Sequence, residues 1–154
     1  MYSKEILELQ KHLEELISLH AKLETCLKQD IEFFKTNDLQ SIEKSNAEKE
    51  KLHQFISEEL SYFDANKSLA SFSGNHVEKI EQYGDTLSDT QAQQKLKDLL
   101  ALEKNILERV FAQVQINSLI IDSNLEFSKN LIHQIVNHTV EKQTETYDKS
   151  ANIR

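Results

Sequence analysis

Glu50 and His53 stand three residues apart in a stretch of helical character. At that spacing a carboxylate and an imidazole share one helix face and can share a metal ion. A di-iron helical bundle needs the pair twice, with two more glutamates facing inward, and the chain has no second copy. His12, His76, His133 and His138 are scattered. There is no glycine-rich phosphate loop, no Cys-x-x-Cys and no His-Glu-x-x-His. Cys26, the only cysteine, neighbours Leu27 on the inner side of a helix and reads as a small packing residue. A nucleophilic thiol needs a nearby base or cation, and none falls beside it. We therefore expect no catalytic residue, no metal and no cofactor.

Composition bounds the class. The chain has 154 residues, two glycines and no proline, with 38% hydrophobic and 29% charged residues. That mix suits long helices and coiled coils. The net charge of −8 argues against nucleic acid, because phosphate binding needs clustered Lys and Arg. It argues equally against an anionic membrane surface. The opening stretch lacks a signal-peptide core, no apolar run approaches about twenty residues, and a lone cysteine suits a reducing compartment. The expected location is the cytoplasm.

The elements that would position any site are helices. From 88 to 140 there is no Gly or Pro. Leu96, Leu99, Leu100, Ile106, Leu107, Val110, Val114, Ile121, Leu131 and Ile135 recur at three- and four-residue steps there, the stripe of an amphipathic helix. Ser88 with Gln91 suggests a capping box at its start. About fifty residues at about 1.5 Å each make a rod of roughly 75 Å, which needs cover to be stable. Ser3 caps a first helix over about 3–35. Its seam runs Ile6, Leu9, Leu13, Leu16, His20, Leu23, Leu27 and Phe34, with Asp30 breaking one site and Ile31 beside it. Thr36-Asn37-Asp38 reads as a tight turn, with Asp38 capping a second helix over about 38–63. The resulting antiparallel register sets Phe63 against Gln10, Ile56 against Ile17 and His53 against His20. A polar layer of His20 and His53, shared with Glu24 or Lys49, would fix that register.

Residues 64–87 carry Leu69, Phe72, Val77 and Ile80, too many apolar groups for a free linker. They read as a packed connector with one short helix, His76 to Tyr83. After Val140 the apolar period stops, and 141–154 has the composition of a mobile tail. The expected fold is all-α: an elongated antiparallel bundle of three long helices, a segmented coiled coil, forming one domain over 1–140. Asn117 and Asn124, one heptad apart on the long helix, read as register-setting polar sites; the other reading is that one of them bonds a partner's helix. Phe111, Ile120 and Phe127 lie off the main seam, so the long helix needs two covers.

Two stretches resemble the FlgN-type flagellar export chaperones. One runs from the Leu-rich helix at Leu23 through the Asn37-Asp38-Leu39 turn, Ile42 and Glu48-Lys49 to Leu52 and Ile56. The other is Asn117-Ser118-Leu119-Ile120-Ile121 with Leu131 and Ile135 behind it; family members often carry Gly where this chain has Ser118. The resemblance implies a type III secretion chaperone for hook-associated proteins. It would hold the disordered end of an unassembled subunit, block premature polymerisation and deliver it to the export apparatus, with no enzyme activity. If the long helix starts at the open end of the hairpin, its last turns outreach the Asn37 turn. On that reading Phe127, Leu131, Ile132, Ile135, Val136 and Val140, with Tyr147 in the tail, form the client-binding stripe. The connector or a second copy could cover it instead, and the resting state is expected to be a monomer or weak homodimer. A generic coiled-coil scaffold without a secretion client is the alternative.

Overall fold

The computed structural model describes residues 3–150, with side chains described to residue 123 and, beyond it, at 126, 129, 130, 132–134 and 136. The described residues form four α-helices and no strand: α1 Lys4–Thr36, α2 Leu39–Ala65, α3 His76–Asp85 and α4 Thr90–Ser150. The long helices α1, α2 and α4 pack against each other as an all-α bundle. The chain divides into two compact units, Met1–Asn117 and Ser118–Arg154, with the boundary inside α4.

The first unit is built on α1. Ser3 accepts the Ile6 amide at 3.2 Å and opens the helix. Ile6, Leu9, Leu13, Leu16, Leu23 and Leu27 are buried at the expected seam spacing. Each contributes about 1.5–3 kcal/mol of transfer free energy. Asn37 ends the helix in the left-handed region, at φ 52° and ψ 39°, a conformation asparagine tolerates better than most residues. The Asp38 amide then reaches Phe33 O at 3.1 Å and the Asn37 amide reaches Phe34 O at 3.4 Å. Two of the four orphan carbonyls of the last turn are thereby satisfied. Asp38 accepts the Ser41 amide at 3.2 Å and starts α2. The hairpin takes the expected alignment: His12 meets Glu59 and Asp30 meets Ser45, on either side of Ile17 and Ile56.

The connector is packed, as its apolar residues required. Leu69, Val77 and Ile80 join Phe63 in the core. Gly74 turns the chain at φ +105°, and Asn75 accepts the Glu78 amide at 2.9 Å to begin α3. The cap of α4 differs from expectation. Asp89, not Ser88, accepts the amides of Gln91 and Ala92, at 2.9 and 3.1 Å. A carboxylate at this position takes the free amides and also faces the positive end of the helix dipole. In the first unit α4 runs parallel to α1: Lys95 pairs with Glu14, Arg109 with Glu24, and Asn117 bonds Leu27.

The end of α4 also differs. The backbone stays helical past Val140 to Ser150, where a tail was expected from 141; residues 151–154 lie outside the described ones. No Gly or Pro follows Gly84 to stop the helix, and Glu, Lys and Gln are good helix formers.

At Gly74 an added Cβ would lie 2.5 Å from the Glu78 carboxylate, on a backbone that side chains rarely adopt. Gly74→Ala should cost about 1–3 kcal/mol, read as a lower urea midpoint at unchanged slope. An unchanged midpoint would show that the turn carries no such constraint.

Candidate functional site

The most concentrated chemistry in the molecule is a buried acid. Glu103 on α4 has no exposed surface. Its Oε1 accepts a hydrogen bond from His20 Nδ1 of α1 at 2.6 Å. Its Oε2 lies 3.4 Å from His76 Nε2 at the start of α3, within ion-pair range but without hydrogen-bond alignment. Burial works against the charged carboxylate, but the His20 bond and the adjacent His76 outweigh it and hold the Glu103 pKa below its ordinary value. One side chain thus joins α1, α3 and α4. The arrangement holds three elements together around one charge.

This replaces the expected layer of His20 with His53. His53 is exposed on α2, and His20 turns toward α4, where Glu103 offers a charged acceptor. The residues expected to share the layer are engaged elsewhere. Glu24 pairs with Arg109 at 3.0 Å, and Lys49 pairs with Asp30. Asp30 does not break the seam: it is fully buried and accepts from both Ser45 and Lys49. Asn117 is a buried polar site, as one of its two readings required. It donates to Leu27 O at 2.8 Å and accepts from Gln113 at 3.0 Å. Asn124's side chain lies outside the described residues. Cys26 packs against the core. Burial, with Glu48 and Asp30 nearby, raises its thiol pKa, which favours the neutral form over the reactive thiolate.

Glu103 and Asp30 were the residues sequence reasoning missed as buried charged anchors. The signal for Glu103 was present: it stands four residues after Leu99 and three before Ile106, on the buried seam.

The expected client stripe is only partly described. Ile132 is 59% exposed and Val136 is 50% exposed, one turn apart on α4. Leu119 and Ile121 are exposed in the same unit. Phe127, Leu131, Ile135, Val140 and Tyr147 lie outside the described side chains. The Glu50–His53 pair gathers no third ligand; no cluster of three or more metal-binding side chains occurs among the described residues. No helix among them is long and apolar enough to cross a membrane. Comparison of the chain with known protein families, with characterised proteins and with solved structures finds no match.

A depressed carboxyl pKa contributes stability that is present above the ordinary value of 4.5 and lost as pH falls through the folded value. Unfolding free energy should therefore fall more steeply on acidification in the natural protein than in Glu103→Gln. At neutral pH that variant should be about 1–3 kcal/mol less stable. Parallel profiles would deny Glu103 this role.

Proposed function

We propose that this protein is a FlgN-like flagellar export chaperone, a type III secretion chaperone that holds unassembled hook-associated proteins. It prevents their premature polymerisation and delivers them to the export apparatus. The observation that carries the proposal is apolar exposure on the second unit. Leu119, Ile121, Ile132 and Val136 face solvent on a helix segment of which no described residue belongs to the buried core. A lone helix cannot bury its own apolar residues, so these positions suit a partner's amphipathic helix. The order and spacing of the residues similar to that chaperone family give the partner its class.

The connector supports this reading. Leu69, Val77 and Ile80 are committed to the core of the first unit. On this account binding is non-covalent and uses no cofactor. Two to four buried anchors of about 1.5–3 kcal/mol each give a complex of about micromolar affinity once ordering costs are met.

The test combines Ile132→Glu and Val136→Glu with Leu131→Glu and Ile135→Glu, and measures affinity for a hook-associated protein by calorimetry. Binding should be lost with helix content unchanged by circular dichroism. Undiminished affinity removes the proposal. A stable self-dimer by sedimentation that the same changes dissolve, with no client bound, favours the scaffold reading instead.

A further inference from the structure

A second apolar feature lies wholly within the first unit. Between Glu43 and Lys51, α2 has only Ala47 as an apolar residue. Its inward position is taken by Ser45, which bonds Asp30, so α2 puts no large apolar side chain toward α4 there. The space left is a groove of about 560 Å³, floored by Leu23 and Leu27 and walled by Val110 and Val114 on one side and Asn46, Glu50 and His53 on the other. Phe111 stands between these valines on α4 and is 65% exposed, and Val114 is 43% exposed.

We propose that this groove docks an amphipathic helix of a partner protein whose one flank carries Lys or Arg. The charge at the mouth selects that occupant. Lys49, the cation lining the groove, is held by Asp30. Glu50 lines the groove, Glu43 stands one heptad before it on α2 beyond the lining residues, and neither forms an ion pair among the described residues. The α4 wall, Val110 and Val114, is uncharged. The mouth is therefore negative along α2 only. A helix laying an apolar stripe on Leu23, Leu27, Val110 and Val114 gains from cations on that flank and meets repulsion from acids there. A second copy of this chain is the poorer occupant: with 26 acidic against 18 basic residues, it brings like charge. The groove is lined by first-unit residues alone, and the inference goes beyond the export-chaperone reading without depending on it.

Two synthetic helical peptides test it on the full-length protein, identical in their leucine stripe, one flanked by Lys and the other by Glu. By fluorescence anisotropy the Lys-flanked peptide should bind about tenfold tighter. Glu43→Lys with Glu50→Lys should reverse the preference. Val114→Asp and, separately, Phe111→Asp should weaken binding about tenfold. Both side chains are substantially exposed, and unchanged thermal melting identifies the folded variant to use. Ile132→Glu with Val136→Glu should leave peptide binding intact. Equal affinity for the two peptides overturns the inference, as does binding lost in the Ile132 and Val136 variant, or a self-dimer that Val114→Asp dissolves.

Discussion

One carboxylate, Glu103, sets the terms for the first unit. A charge without solvent must be paired or neutralised, and the partners here come from two other elements, His20 of α1 and His76 of α3. An apolar seam alone tolerates sliding by one turn, because one leucine replaces another at little cost. A single buried ion does not: a slip of α4 along α1 strands the charge, which costs several kcal/mol. The position of α4 and the docking of the connector follow from the same atom pair distances.

The same logic recurs at the other end of the hairpin. Asp30 has almost no exposed surface and is answered by Ser45 and Lys49 across the α1–α2 interface. Asn117 does the equivalent work between α4 and α1 through the Leu27 carbonyl. Three polar anchors therefore punctuate a leucine core, at residues 20, 27 and 30 of α1. They restrict register at some expense in stability relative to an all-apolar seam. The expense has a structural consequence. With Ser45 facing inward and polar neighbours on either side, α2 contributes little bulk opposite Val110 and Val114, and a groove is left open.

α4 faces two environments. In the first unit its stripe is covered by α1 and its companions as far as Val110. In the second, Leu119, Ile121, Ile132 and Val136 are exposed, and the helix continues through residues with no apolar period. The helix does not stop where its packing stops, because local propensity suffices to carry it onward from an already formed end.

The helices, the turn at Asn37, the cap at Asp38, the hairpin alignment and the packed connector were legible in the sequence. Each depends on neighbours close in the chain: three- and four-residue spacing, one residue tolerant of positive φ, one carboxylate before free amides. What His20 binds was not legible. In the hairpin alone His53 is its natural companion; only when α4 lies parallel to α1 does Glu103 arrive at 2.6 Å. Nor could Asp30 be read as a buried anchor, since an acid at a seam position looks the same whether or not a cation waits across the interface. Periodicity and capping are short-range, so the local backbone and the apolar faces could be read before any packing was known. Tertiary structure alone decided which polar groups pair and where the apolar surface stays open. Those outcomes depend on contacts between residues far apart in the chain, whose partners no local pattern names.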